Sequence, residues 1–334
     1  MTIGRNAKPN GVVDKSDSPT TLNILLVGEE AAGIQVLRIL SASPHHVVAV
    51  ASTPSENPQV STLWNVAGKM KIERLSAQLV KQSQFSKYVS ENQVDLILNV
   101  HSLYLMDVDV INACRIGAYN MHPGPLPEYA GLNVPSWAIY RGETEHAVTI
   151  HQMVSRIDAG TIAYEQRFPI EADDNGMTLM SKCVRAGVPL IRKLLHDAAA
   201  GVDQIPKVTQ DLNRRQFFRG QAPNEGELCW HRPAKDIINH VRAADYSPFK
   251  SPWGNPANII EGRKFGIVRA KATKLPADAP PGTVGKQHES GFYVAAKDHW
   301  VLVETLTIDG QTLGAQEILK TDQRLEEENC SHHP

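Results

Sequence analysis

Residues 120–127 read Asn-Met-His-Pro-Gly-Pro-Leu-Pro, and residues 158–160 read Asp-Ala-Gly. Asn120 and His122 are two positions apart, so on an extended segment their side chains point to the same face. The Pro-Gly-Pro turn that follows can neither continue a strand nor begin a regular helix. We therefore expect an amide and an imidazole side by side where the chain leaves a sheet. Such a pair suits stabilising an oxyanion and moving a proton.

Short apolar runs alternate with helical patterns through the first part of the chain. The runs at 22–27, 47–51 and 95–100 are typical of buried parallel strands, and residues 31–40 and 178–200 have helical spacing. The opening strand-helix-strand unit is expected to be right-handed. This alternation predicts an α/β fold with a doubly wound, mostly parallel sheet.

A candidate catalytic carboxylate lies between two later β runs. Residues 147–154 and 161–170 have β patterns, and the residues that join them include Asp158, which predicts a hairpin or a bent strand pair. A carboxylate beside an imidazole orients the ring and favours its charged form. The predicted catalytic residues are Asn120, His122 and Asp158. No Gly-x-Ser-x-Gly motif is present, so the attacking group is expected to come from a second substrate.

The composition changes after residue 200. A polar stretch with scattered proline and glycine reads as a connector, and an amphipathic helix at 233–243 follows it. Beyond the helix, short strands with Gly and Pro turns suggest a small barrel. The predicted organisation is a flexible N-terminal tail (1–21), a catalytic domain (22–205), a linker (206–227), a smaller β-barrel domain (228–320) and a flexible C-terminal tail (321–334).

The overall composition narrows the class of protein. The net charge of −2 predicts no general attraction to nucleic acid or anionic membranes. The four cysteines are far apart and form no Cys-x-x-Cys pair, so no metal is expected. No run of 18 apolar residues and no export-type N-terminal segment are present, which predicts a cytoplasmic protein that does not span a membrane.

Three motifs together resemble the folate-dependent formyltransferase family, including its methionyl-tRNA formyltransferase-like members with a C-terminal barrel. They are Asn-x-His-Pro-x-x-Leu-Pro-x-Tyr-x-Gly from residue 120, Val-Thr-Ile-His-x-Met from residue 148, and Asp-x-Gly from residue 158. The resemblance covers residues 22–319 and implies a Rossmann-like catalytic domain. It further implies that Asn120 and His122 hold the formyl oxygen, and that Asp158 orients His122 and assists removal of the amine proton.

The resemblance also implies a formyl donor, 10-formyltetrahydrofolate. Its pterin would lie against the loop Ser102, Leu103, Tyr104 and Leu105 and against the loop around Ile157. Plain core packing is the alternative explanation of the apolar loop at 102–105. Many relatives carry arginine at the position of Ala130, so any acceptor contact made by that arginine is in doubt here.

The acceptor is left open by the sequence. The tRNA enzymes of this family carry a basic loop after the second strand, whereas residues 52–64 contain no lysine or arginine, which argues against tRNA. We expect a small-molecule or carrier-protein-bound amine: an amino sugar nucleotide, an ornithine-like side chain or an aminoacyl thioester. Arg242, Tyr246 and Trp253 either line its site or pack structurally, with packing favoured. A homodimer is left open.

Other activities are weighed against this prediction. A hydrolase that releases formate from 10-formyltetrahydrofolate would use the same three side chains, and methionyl-tRNA formyltransferase is the other alternative within the family. A dehydrogenase would rest on the turn at Gly28 alone, which is not Gly-x-Gly-x-x-Gly and whose glutamates would repel a pyrophosphate.

Overall fold

The computed structural model describes residues 20–326, and these begin with an α/β unit. Each apolar run predicted as a strand in this part of the chain forms one, and the two helical patterns form the first and the longest helix. In chain order the elements are β1 (Asn23–Gly28), α1 (Glu30–Ser41), β2 (His46–Ser52), α2 (Leu63–Lys69), β3 (Arg74–Ser76), α3 (Phe85–Glu91), β4 (Leu96–Val100), α4 (Val108–Asn112), β5 (Gly117–His122), β6 (Ala130–Gly131), α5 (Val134–Tyr140), β7 (Glu145–Gln152), β8 (Ile162–Pro169) and α6 (Gly176–Ala200).

Seven of these strands form one sheet in the order β3-β2-β1-β4-β5-β7-β8. The first five are parallel to one another, whereas β7 runs antiparallel to both β5 and β8. The predicted doubly wound, mostly parallel sheet is therefore confirmed. Its carboxyl edge gathers the ends of β1, β4 and β5, where ligands bind in sheets of this type.

The central strands are buried on both faces. Along β1, Ile24 and Leu26 pack into a core with α1, α2 and α6, while Leu25 and Val27 pack into a second core with α3 and α4. All four side chains are fully buried. Because successive strand residues point to opposite faces, a continuous apolar run is what a sheet covered on both sides requires.

A second unit follows a connector in which β9 (Phe217–Phe218) pairs with β6. Its strands pair antiparallel in the order β10-β11-β14-β13-β12, with β15 also on β14, and they enclose a separate core. The elements are α7 (Ala234–Ala244), β10 (Ala257–Ile260), β11 (Arg263–Pro276), β12 (Val284–His288), β13 (Gly291–Ala295), β14 (His299–Ile308) and β15 (Gln311–Gly314). Short 3-10 helices lie at Ala77–Lys81, Val202–Gln204, Leu212–Arg214, Pro223–Gly226 and Ala315–Glu317.

The two ends of this antiparallel sheet are joined by residues 322–326. On one side this segment hydrogen-bonds with Gly282 and Val284, and on the other it exchanges two backbone hydrogen bonds with Ile259. Leu325 is buried in the core. The described part of the predicted C-terminal tail is thus bonded into the sheet, and the arrangement is barrel-like. Residues 1–19 and 327–334 of the two predicted tails lie outside the described residues, and the boundaries at 205 and 228 stay predictions.

Helix α6 supports the strand that carries Asn120 and His122. Gly187 lies against the sheet so closely that a Cβ at this position would be 2.5 Å from Met121 Sδ and 3.0 Å from Val148 Cγ2. Within residues 20–326, no helix is both long and apolar enough to cross a membrane.

We predict that Gly187→Val destabilises the protein by about 1–3 kcal/mol, because the added methyl groups overpack the contact between α6 and β5. Urea unfolding measures the change. Arg185→Val, on the exposed side of the same helix, controls for the cost of a β-branched residue in a helix. Equal stability of the two variants would contradict the prediction.

Candidate active site

Three polar side chains line up across neighbouring strands at the carboxyl edge of the sheet. Asn99 on β4 pairs with Asn120 on β5, and Asn120 pairs with His151 on β7. Asn99 Nδ2 donates to Asn120 Oδ1 at 2.9 Å, and Asn120 Nδ2 lies 3.1 Å from His151 Nε2. The Asn120 oxygen already accepts a hydrogen bond from Asn99, so the Asn120 amide group is oriented with its Nδ2 towards His151.

His122 ends β5 and is almost fully buried, with 3% of its surface exposed. Its Nε2 lies 2.6 Å from the carbonyl oxygen of Tyr129, which the Pro-Gly-Pro turn brings back over the strand. A carbonyl oxygen only accepts, so Nε2 must carry a proton. The other ring nitrogen, Nδ1, lies 3.8 Å from Asp158 Oδ2. Nδ1 is therefore the nitrogen that can gain or lose a proton during a reaction.

Asp158 lies in the turn between β7 and β8, as the sequence predicts, and adopts a left-handed backbone conformation with φ of +51°. Two residues on, a Cβ at Gly160 would lie 1.9 Å from the carbonyl oxygen of Gln152, so the turn requires glycine there. The Asp158 carboxylate accepts a hydrogen bond of 2.8 Å from the Gly131 N–H through Oδ2, and Oδ1 lies 3.4 Å from His151 Nε2.

The electrostatics of the cluster depend on these contacts. Burial alone would raise the pKa of the Asp158 carboxyl group, but His122, His151 and the Gly131 N–H together hold that pKa well below its usual range. Burial lowers the pKa of His122, and the Asp158 carboxylate opposes that change. Burial and the neighbouring His122 also lower the pKa of His101, at the end of β4, to about 4. Asp158 is therefore ionised near neutral pH.

The structure brings together the three side chains that the sequence singles out, with one difference in their contacts. Asp158 is within ion-pair distance of His122, but its hydrogen bond goes to the Gly131 backbone. The link between Asn120 and Asp158 runs through His151, to which the sequence assigns no role beyond its place in the Val-Thr-Ile-His-x-Met motif. His151 lies in the site because β7 pairs antiparallel with β5. The residue pattern of one strand does not show which strand it pairs with.

The loop expected to contact the folate donor is largely exposed. Leu103 and Leu105 are 83% and 66% exposed and Ile157 is 39% exposed, so core packing does not explain these three side chains. Tyr104 does pack against the core with α3 and α4, and Ser102 Oγ accepts a hydrogen bond from the Tyr104 N–H. Their contact with a folate stays a prediction.

Two polar atoms in the neighbouring strand end are also suited to a ligand. Asn99 Oδ1 and His101 Nε2 are buried without a hydrogen-bond partner among the described residues. His101 has a φ of +55°, which is uncommon for a side chain of its size. A buried polar group without a hydrogen-bond partner costs free energy. Such groups are therefore expected where a bound molecule supplies the missing partner.

Other residues considered from the sequence have structural partners. Arg242 donates to the carbonyl oxygens of Asp174 and Glu171, and Tyr246 shares a hydrogen bond with Ser136 of α5. Trp253 packs against Trp137. At the turn after β1, Glu29 accepts two hydrogen bonds from Thr53, so a carboxylate occupies the place where a dinucleotide site would need phosphate donors.

Comparison with known families agrees with this arrangement. The formyl transferase model matches residues 22–194, which is more than half of the chain, and the model of the formyl transferase C-terminal domain matches residues 222–323. The chain belongs to the formyl transferase family. The family predicted from the three motifs is confirmed.

Solved structures of similar fold include two N-formyltransferases. The enzyme from Helicobacter canadensis, in complex with folinic acid and dTDP-3-aminofucose, is 16% identical with a TM-score of 0.65, over 85% of this chain and 99% of that one. WlaRD, a sugar 3N-formyl transferase studied with dTDP and 5-N-formyl-THF, is also 16% identical, with a TM-score of 0.64 over 85% of this chain and 97% of that one.

A third similar fold is found in HypX from Aquifex aeolicus, in complex with tetrahydrofolic acid. It is 15% identical with a TM-score of 0.62, and the match covers 92% of this formyl transferase but 51% of HypX. At such low identities these likenesses show the fold alone.

We predict that Asn99→Leu lowers formylation activity by about tenfold, because the Asn120 amide loses the hydrogen bond that fixes its orientation. Steady-state kinetics measure the effect, with thermal unfolding as the check on folding. Asn92→Leu serves as the control, because within residues 20–326 the Asn92 amide donates only to the Tyr88 carbonyl oxygen on α3. Activity of Asn99→Leu equal to that of this control would contradict the assigned orientation.

Proposed function

We propose that this formyl transferase moves the formyl group of 10-formyltetrahydrofolate to a primary amine or hydroxylamine of a small-molecule or carrier-bound acceptor. The observation that carries the proposal is the convergence of Asn120, His122 and Asp158 at the carboxyl end of β5. The folate compounds in the structures of similar fold support the choice of donor. The exposed apolar side chains of Leu103, Leu105 and Ile157 are suited to cover a flat pterin ring.

The chemistry that this site would support is direct acyl transfer. The amine nitrogen attacks the formyl carbon, the bond from that carbon to the donor nitrogen breaks, and one proton leaves the amine while the donor nitrogen gains one. The second Asn120 Nδ2 hydrogen and a protonated His122 Nδ1 would stabilise the oxyanion of the tetrahedral intermediate. The Asp158 carboxylate would accept the amine proton directly or through a water molecule.

The charge around the site bears on the acceptor. The loop between β2 and α2 contains no basic residue, and its carbonyl oxygens at Asn57 and Val60 are held by the buried Asn65 amide. Arg74, which follows α2, lies 4.7 Å over the Trp64 ring. Since phosphate contacts dominate nucleic-acid affinity, this surface argues against tRNA.

The structures of similar fold support one class of acceptor. Of the three small acceptors considered, an amino sugar nucleotide has the support of two structures of similar fold that were studied with dTDP compounds. An ornithine-like side chain or an aminoacyl thioester would present the same attacking amine or hydroxylamine.

The experiment that tests the function is a screen of amines from these three classes with 10-formyltetrahydrofolate, in which mass spectrometry detects a gain of one formyl group. A parallel reaction without amine measures formate release and separates transfer from hydrolysis. Donor consumption that is equally fast with and without every amine would contradict the transferase and favour the hydrolase.

We predict that His122→Ala and Asp158→Ala each lower turnover at least about a hundredfold, because each removes a group that stabilises the transition state. The change is measured as kcat with the best amine of the screen. Both variants should unfold in a cooperative thermal transition, which shows that they remain folded.

His288→Ala on β12 is the matched control, because it removes an imidazole from the antiparallel unit and leaves the carboxyl edge of β5 intact. It should retain wild-type turnover. Near-normal turnover of either His122→Ala or Asp158→Ala would count against the proposed roles.

A further inference from the structure

The connector between the two sheets lies against the turn that carries Asp158. Val208 exchanges two backbone hydrogen bonds with Ile162 in an antiparallel bridge. In this antiparallel register, the residue two positions after Val208 is opposite the residue two positions before Ile162, so Gln210 is opposite Gly160. Further along, the Arg215 guanidinium donates at 2.9 Å to the carbonyl oxygen of Ile157. Part of the segment predicted as a linker therefore runs beside the β7–β8 turn.

Gln210 makes the closest of these contacts. Its Nε2 donates to the carbonyl oxygen of Gly160 at 2.6 Å and to that of Asp158 at 3.1 Å. The side chain is only 8% exposed, and its Oε1 has no hydrogen-bond partner among the described residues. Burying the Gln210 amide with its oxygen unpaired costs free energy. The two hydrogen bonds from its nitrogen are therefore the contacts that this side chain contributes.

These two hydrogen bonds fall on a turn that needs external support. Asp158 has a left-handed backbone, and Gly160 approaches the Gln152 carbonyl oxygen too closely for any side chain. Buried carbonyl oxygens require donors, and those of Asp158 and Gly160 accept hydrogen bonds from Gln210. The conformation of this turn determines where the Asp158 carboxylate lies relative to His122 and His151.

We propose that Gln210 is a positioning residue of the active site, whose side-chain amide fixes the turn that holds the Asp158 carboxylate between His122 and His151. The structural part of this inference stands on the contacts of Gln210, and its consequence for turnover rests on the proposed function. Through Gln210, the connector then supports the active site as well as linking the two sheets.

The consequence for charge is specific. The titratable or charged groups that face His122 are Asp158, His101, His146 and His151, and Asp158 also interacts with Arg215. Of these, Asp158 is the one that raises the pKa of His122. If the turn loosens, the carboxylate moves away, so the pKa of His122 falls while that of Asp158 rises towards its usual value.

The test compares the full-length wild type with Gln210→Met and Gln210→Leu, which remove the amide donor and replace it with an unbranched or a branched apolar side chain. NMR titration of the side-chain signals of His122, assigned with His122→Gln, should give a lower pKa for His122 in both variants. With an active amine, kcat should fall about tenfold or more while KM for the donor is unchanged. The pH range over which kcat/KM is near its maximum should narrow at both its acidic and its basic limit. Partial unfolding would not produce this effect.

Gln216→Met is the control in the same connector, because the Gln216 side chain accepts a hydrogen bond from Arg141 and does not contact the Asp158 turn. It should match the wild type in both measurements. An unchanged pKa of His122 in both Gln210 variants, or an equal change in Gln216→Met, would overturn the proposal. If the wild type formylates no amine, the proposed function fails, and the NMR titration still decides the role of Gln210.

Discussion

The antiparallel pairing of β7 with β5 is the constraint on which the active site depends. Strand β7 starts beyond the carboxyl end of β5 and runs back beside it, with Thr149 opposite His122 and Gln152 opposite Tyr119. Because β7 runs antiparallel, its register sets His151 beside Asn120. The turn into β8 then places Asp158 next to both imidazoles. Two residues near position 120 and one near position 158 meet for this reason alone.

The same arrangement concentrates titratable groups around one carboxylate. His101, His122, His146 and His151 come from the ends of β4 and β5 and from β7. Besides burial, His122 lowers the pKa of His101 and of His146, and His151 lowers the pKa of His122. Burial disfavours the charged form of His101, His122 and His146, and at His122 the Asp158 carboxylate opposes this effect and so favours a second proton on the ring. The hydrogen bond from His122 Nε2 to the Tyr129 carbonyl directs that proton to Nδ1, which faces the carboxylate.

Much of the fold could be predicted from the sequence because its signals are local. The apolar runs predicted at 22–27 and 95–100 form the neighbouring interior strands β1 and β4. The family motifs, which are also local, identified Asn120, His122 and Asp158. The three-residue strand β3 was missed because it is too short to carry a periodic pattern.

What sequence could not reveal are contacts that only the packed chain creates. His151 joins the site through strand register, and Gly131 through the return of the chain after the Pro-Gly-Pro turn. Gln210 lies in a polar stretch that reads as a simple connector, yet it is buried against the Asp158 turn. The exposed fractions of Leu103 and Tyr104 differ although their sequence context is the same, because the loop turns one towards the core and the other away from it.

The most direct measurement of the central claim is a crystal structure of the protein with 5-formyltetrahydrofolate, in which the formyl group is held but not transferred. The account predicts the formyl oxygen within hydrogen-bond distance of Asn120 Nδ2, with His122 Nδ1 and the Asp158 carboxylate on the side from which an amine would approach. A folate bound elsewhere, or with its formyl group directed away from these three side chains, would contradict it.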